Sequence, residues 1–341
     1  MITIGSGNVG MLLATKFDEK SLLLSTAHQD TINFKKFKVN TFSDEGAAKR
    51  FNTGIEIWEQ NFSKLESILS HIKNDKVIIF SSLGGGSGSS SLNPISKILL
   101  NQNNKILIIS VLPYKKEMNP SLANSVQAVN NLTPLMSNVS VMILDNERLK
   151  KIFEDDWVAI NKYIIHKTDY IINLIEKHST DDYSPVTIDQ SELESVVFGG
   201  GFLDYSDTFL EESNPKFEYG SLDKNIKNCL LAMYIDTSIV EDEILQKYHS
   251  IFTQISSKIA GRVSNSRFIS GIIRGELKTT NSLEGIKDRA YIIVASGLNV
   301  EKYTKKIGKL RDVAIKKASV YMEKKSSSRI IDNKENKILN I

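Results

Sequence analysis

The run Ser82-Leu83-Gly84-Gly85-Gly86-Ser87-Gly88-Ser89-Ser90 follows the apolar stretch Val77–Ser81 directly and precedes a helical pattern that contains Pro94. Glycines at 84, 85, 86 and 88 let backbone N–H groups converge where a Cβ would obstruct them. Between a buried strand and a helix, such a run holds an anion; it is not placed as a flexible linker would be, and the serine hydroxyls add donors. Pro94 suits a first helical turn, where its missing N–H costs nothing. A strand, a glycine loop and a helix in that order predict a mostly parallel sheet, with ligands at the carboxyl ends of its strands.

The surrounding sequence repeats this alternation. Short apolar runs at Ile2–Ile4, Ser21–Ser25, Val77–Ser81, Ile106–Leu112 and Val139–Leu144 read as strands, and Ile55–Ile72 and Leu122–Leu135 read as amphipathic helices between them. A doubly wound domain over residues 1–154 follows. A helix over Asp155–Lys177, apolar around much of its circumference, joins it to a smaller α+β unit over 181–298. In that unit Gly199-Gly200-Gly201 and Asp204–Asn214 read as loop. Leu230–Ile235, Phe268–Ile273 and Ala290–Ala295 read as strands, and Val240–Ile259 as a helix. At 341 residues, 41% hydrophobic, the chain has material for two cores. Residues 299–341 make a C-terminal helix, Val300–Lys325, and a polar end. From Glu301 onward 12 Lys and Arg face 5 Asp and Glu, so a basic tail follows a mildly acidic body.

One cysteine, Cys229, can form no internal disulfide, and no apolar segment approaches membrane-spanning length. With no signal-peptide pattern at the N-terminus, a reducing cytoplasmic setting without membrane contact is expected.

A second glycine loop, Gly5-Ser6-Gly7-Asn8-Val9-Gly10, has the spacing G-x-G-x-x-G of dinucleotide sites. That chemistry needs an acid at the end of the next strand for a ribose, and here the strand ends Leu24-Ser25-Thr26. Two glycine loops at one sheet edge fit a mononucleotide triphosphate embraced from both sides. No G-x-x-x-x-G-K-[ST] is present, which excludes a P-loop NTPase.

Gly84-Gly85-Gly86-Ser87-Gly88-Ser89 is similar to the GGGTGTG signature of the tubulin/FtsZ GTPases, with serine in the threonine places. Ser82-Leu83-Gly84, Val111-Leu112-Pro113 and Leu144-Asp145-Asn146 resemble the phage and plasmid branch of that superfamily, the TubZ- and PhuZ-like tubulins. The resemblance implies a cytomotive filament protein that binds and hydrolyses GTP and moves or positions phage or plasmid DNA. It implies that Gly5, Ser6, Gly7 and Asn8 form a first phosphate loop, shorter than in FtsZ. Gly46, within Glu45-Gly46-Ala47-Ala48-Lys49, falls in the γ-phosphate loop, with alanines where glycine is usual. By the same resemblance Glu117 contacts the ribose, and Asn146 and Asn161 read guanine, an amide offering both donor and acceptor.

Ile188-Asp189-Gln190-Ser191-Glu192-Leu193 resembles the synergy loop, with Thr187 in place of its Asn, which makes Asp189 and Glu192 the catalytic carboxylates. Acids at i and i+3 share one face of a helical turn and could together orient a water. The family's arrangement implies GTP or GDP with Mg²⁺ held mainly through the phosphates, no dedicated protein metal site, and a head-to-tail homopolymer whose next subunit supplies the acids. For the basic tail three roles stand open: a filament contact, recruitment of a DNA-bound adaptor, and a solvated helix face. Two other classes compete, a GTP-binding scaffold that does not hydrolyse and a dinucleotide-dependent oxidoreductase.

Overall fold

A computed structural model describes residues 1–117, 119–176, 190–209, 226–235, 242–263, 267–274, 290–297 and 305–317. In chain order the elements are β1 (Ile2–Ser6), α1 (Gly7–Phe17), β2 (Leu22–Ala27), β3 (Val39–Ser43), α2 (Phe51–Gln60), α3 (Phe62–Leu69), β4 (Lys76–Ser82), α4 (Gly86–Asn101), β5 (Lys105–Leu112), α5 (Asn119–Leu132), β6 (Val139–Asp145) and α6 (Asn146–Ile152). There follow α7 (Trp157–Glu176), α8 (Gln190–Val197), β7 (Gly201–Phe209), β8 (Asn228–Ile235), α9 (Asp242–Arg262), β9 (Arg267–Arg274), β10 (Ala290–Ser296) and a last helix, α10, over 305–317.

The strands form one sheet in the order β3-β2-β1-β4-β5-β6-β7-β10-β8-β9. From β3 to β7 every pairing is parallel; β10 then runs antiparallel to both β7 and β8. Two-residue periodicity divides each central strand between two cores. In β5, Leu107, Ile109 and Val111 face the layer of α1, α7 and α8, whereas Ile106, Ile108 and Leu112 face α2 to α5 and α10. Burial on both faces explains why these strands read as continuous apolar runs. The winding reverses between β1 and β4, so their carboxyl ends open a crevice between Ser6 and Ser82.

Several elements differ from the expectations. The stretch 55–72 breaks into two helices at Asn61, which ends α2 and begins α3. Helix α4 starts at Gly86, inside the glycine run, so Pro94 lies in its interior and not in its first turn. Its missing N–H leaves the Ser90 carbonyl without the usual i+4 donor. Asp204 lies in strand β7, not in a loop: β7 pairs with β10 from Leu203 to Phe209. The acid is tolerated because Lys167 of α7 donates to it at 2.9 Å, both side chains being buried. Val158, at the start of α7, is exposed. Strand β3 and the 3-10 turn His28–Phe34 carry no sequence period that announces them. In α10 Ile307 and Leu310 are buried; Val300–Thr304 and Ala318–Lys325 of the expected helix lie outside the described residues. Among those residues no helix is long and apolar enough to cross a membrane. Cys229 is buried in β8, and desolvation pushes its thiol pKa up to about 12.

At the amino edge of the sheet, α8 is pinned by Glu194, whose carboxylate receives both Lys76 at the start of β4 and Lys105 at the start of β5, the latter at 2.7 Å. Partial burial alone would raise this carboxyl; the two lysines outweigh it and hold the pKa below the usual value of 4.5. A depressed folded pKa gives stability that is fully present above the unfolded value and is lost as pH falls through the folded one. Glu194→Gln should therefore flatten the acid limb of stability below about pH 4.5. Urea denaturation midpoints of parent and variant between pH 3 and 6, taken at roughly half-unit steps, measure this.

Candidate functional site

The crevice is closed by two turns that touch through their backbones. Gly7, at φ +68°, begins α1; a Cβ there would lie 2.7 Å from the Gly88 nitrogen. A Cβ on Gly88 would in turn meet the Ser6 carbonyl oxygen at 2.8 Å and the Ser81 hydroxyl at 2.9 Å. Only glycine fits on both sides of this contact, and it brings the N-termini of α1 and α4 together. Their first-turn N–H groups have no helical partners, so the pair presents convergent donors and two positive dipole ends. Gly85, the N-cap of α4, has nothing within 4 Å of where its Cβ would be.

The serines of the run work differently from the expectation. Ser89 and Ser90 donate to the carbonyls of Gly85 and Gly86, and Ser91 to that of Gly88. Ser91 also receives the Ser6 hydroxyl at 2.6 Å, and Ser87 accepts from the Thr26 N–H at 2.9 Å. These hydroxyls tie the loop to its own helix, to β1 and to β2. Ser89, Ser90 and Ser91 thus spend their protons on the loop itself, and the run's donors that face the cavity are main-chain N–H groups and the Ser87 hydroxyl.

Around the convergence lies a cavity of about 300 Å³, lined by Ser6 at the end of β1, by Gly7, Asn8 and Val9 of α1, by Ser82 and Gly85–Gly88, and by two segments from the neighbouring strands. The end of β2 and the turn after it give Thr26, Ala27, Gln29 and Asp30; the segment after β3 gives Glu45, Ala47, Ala48 and Lys49. Of the expected residues, Ser6, Gly7, Asn8, Gly85, Gly86, Ser87 and Gly88 line it. Gly5, Gly46, Gly84 and Ser89 back the lining without facing it. A Cβ on Gly46 would strike that of Ala27 at 2.6 Å, which explains glycine there.

Glu117, Asn146 and Asn161 do not line this cavity. Glu117 follows β5, Asn146 opens α6 after β6, and Asn161 lies in the second turn of α7, all farther along the carboxyl edge. The ring of Tyr114 lies 6.3 Å from that of Trp157, with the Lys150 ammonium 4.6 Å above it, which draws these loops together. Burial raises the Glu117 carboxyl above the usual range, against the Tyr114 N–H, Ser121, Lys49 and Lys317, which favour the charged form. Asp189 lies outside the described residues. Glu192 lies half-buried in the first turn of α8, at the opposite edge of the sheet from the cavity.

Two residues of the site, Asp30 and Asn124, have no local sequence signal, and Lys49 has a signal only as the end of the stretch 45–49. Asp30 lines the cavity and accepts from the Ser25 hydroxyl. Lys49 brings the one ammonium among the lining residues. Asn124 of α5, 3% exposed, donates to the carbonyls of Lys49 and Gly84 at 2.9 and 3.0 Å and accepts from the Phe51 N–H at 3.0 Å. It staples the loop after β3 to the glycine loop. That loop is strained, with Ala48 at φ 46° and Lys49 at φ 57°, where residues bearing a Cβ are disfavoured.

An anion with several oxygens suits this site: backbone donors on two sides, one ammonium, and open space above Gly85. A divalent cation beside it would find carboxylates at Asp30 and Glu45. No group of three or more potential metal-ligating side chains exists among the described residues, so the ion's remaining ligands would be ligand oxygens and water.

Two substitutions separate the staple from the strain. Asn124→Ala, which strips partners from buried polar groups, should cost about 2–4 kcal/mol. Ala48→Gly relieves the left-handed backbone and should stabilise by about 1 kcal/mol or less, offset in part by chain entropy. Urea denaturation of both variants gives the two signs.

Residues 6–154 match the model of the Tubulin/FtsZ family, GTPase domain. No curated protein is significantly similar to the chain in sequence. Among solved structures, CetZ from Methanosaeta thermophila strain DSM 6194 superposes with a TM-score of 0.65 at 15% identity, over 99% of this chain and 97% of its own. TubZ of Bacillus thuringiensis serovar israelensis, in a GTPγS-form protofilament, gives 0.70 at 15% identity over 94% of both chains. TubZ of Clostridium botulinum phage c-st gives 0.63 at 15% identity, over 93% and 97%. The fold is thus shared with these structures over the lengths they match, and the family match falls on residues 6–154, the part of the chain that builds the cavity. Over those residues the chain is similar to the GTPase domain of the Tubulin/FtsZ family.

Proposed function

We propose that the chain binds GTP with its triphosphate in the cavity between Gly7–Val9 and Gly85–Gly88, and hydrolyses it on assembling head to tail into filaments. The convergence of two helix N-termini through the Gly7–Gly88 contact carries this reading. The cavity volume suits the phosphates alone; ribose and base extend along the sheet edge toward Glu117, Asn146 and Asn161. Asp30 or Glu45 would lend an oxygen to Mg²⁺ beside the phosphates, where the ion would supply neutralisation of their charge.

The placement of α8 supports hydrolysis in trans. Lys76 and Lys105 anchor Glu194 at the amino edge, so Glu192 on the same helix cannot reach the cavity of its own chain. A second copy stacked along the same axis would bring Asp189 and Glu192 over the phosphates, where they orient the attacking water. Such a contact joins unlike surfaces and does not close, so it propagates. The family match and the protofilament form of the TubZ relative point the same way. Cargo in this reading is phage or plasmid DNA inside a bacterial cell, with the basic tail as the contact to a DNA-bound adaptor.

A dinucleotide would need an acid just past β2, and Asp30 holds that place, so NAD is the control ligand. GTP should bind and NAD should not; light scattering and phosphate release should rise together above a critical protein concentration. Asp189→Ala and Glu192→Ala should each lower turnover by about 10²–10⁴-fold while filaments still form. Parental turnover in both variants would sink the assignment of the acids, and GTP binding without scattering or phosphate release would leave a scaffold.

A further inference from the structure

Helix α10 lies across the two loops that the proposed function assigns to the nucleoside. At one end, Lys306 pairs with Asp145 at 3.1 Å, the two side chains 14% and 11% exposed. Asp145 is also the N-cap of α6, accepting from the Glu147 N–H at 3.0 Å, so Lys306 grips the turn that presents Asn146. At the other end, Lys317 donates to the main-chain carbonyls of Lys115 at 3.0 Å and Glu117 at 2.7 Å. Between them Ile307 and Leu310 are buried in the core shared with α4 and α5. Eleven residues of helix span about 16 Å, enough to reach from the end of β6 to the loop after β5.

The loop after β5 is also tied to its neighbours: the Lys115 N–H donates to the Glu147 carboxylate at 2.9 Å, and the Tyr114 ring lies against Trp157 under the Lys150 ammonium. Its own closure is the Glu117 N–H on the Tyr114 carbonyl at 3.0 Å and the Tyr114 N–H on the Glu117 carboxylate at 3.1 Å. One ammonium on two carbonyls two residues apart adds a hold on its course from outside, and charge-assisted bonds of this kind are the stronger ones. No residue of α10 lines the phosphate cavity.

We propose that α10 is a strap that holds the ribose and base loops in their nucleotide-binding form, with Lys317 as the positioning residue for Glu117. The strap rests on the reading that Glu117 and Asn146 face the nucleoside. It makes affinity for the nucleoside half of the ligand depend on a helix at the far end of the chain, and leaves affinity for the phosphates independent of it.

The test uses the full chain and two probes, GTP and inorganic tripolyphosphate, each titrated against parent, Lys317→Met and Lys317→Arg. Lys317→Met keeps the apolar stem and removes the ammonium. It should weaken GTP about tenfold and leave tripolyphosphate within about twofold, whereas Lys317→Arg, which still donates to two carbonyls, should restore most of the GTP affinity. Lys317→Gln serves the same comparison if the methionine variant does not fold. Unchanged GTP affinity in Lys317→Met, or equal weakening of both probes, overturns the strap alone. A parent that binds tripolyphosphate and not GTP overturns the nucleotide reading, and the strap with it.

Discussion

Two helix N-termini meeting at one point is an arrangement that water alone does not favour. Each end carries roughly half a positive charge and several N–H groups without helical partners, and the ends repel one another. The chain accepts this because Gly7 and Gly88 let the two turns touch, and because the serines around them are committed to neighbouring backbone. The adjacency of β1 and β4, the reversal of winding and the position of the crevice all follow from that contact. An anion seated between the two ends removes the repulsion, so ligand binding and folding stability are linked: whatever binds only the folded form stabilises it by mass action.

The surrounding loops differ in how firmly they are held. The glycine loop is bonded to its own helix, to β1 and to β2, and is rigid by construction. Strain sits instead in the segment after β3, where Ala48 and Lys49 occupy the left-handed region, and Asn124 keeps it there by three hydrogen bonds. Backbone strain of this kind persists only where the surroundings over-determine it, and a buried amide with three partners supplies that here.

What could be read from the sequence follows from the range of the forces involved. The central strands are legible because both faces are buried and local composition declares it, and the two glycine loops are legible because close backbone approach demands glycine whatever lies elsewhere. Strand β7 was hidden because Asp204 looks like a loop residue until Lys167, thirty-seven positions away, neutralises it. Pro94 misled because proline marks a first turn only when nothing earlier nucleates the helix, and here Gly86 does. Asn124, Asp30 and Lys317 left no local trace at all. Their roles come from partners up to 202 positions distant, and single-residue patterns do not encode such pairings.

The thiol of Cys229 has a further consequence. With its sulfur enclosed in β8, desolvation holds its pKa far above the usual thiol value, and the thiolate is disfavoured at neutral pH. Thiol-directed reagents act on thiolates, so burial shields Cys229 from them. A cysteine engineered on an exposed position would be the accessible thiol of the molecule, ready to carry a dye or spin probe without first removing the native one.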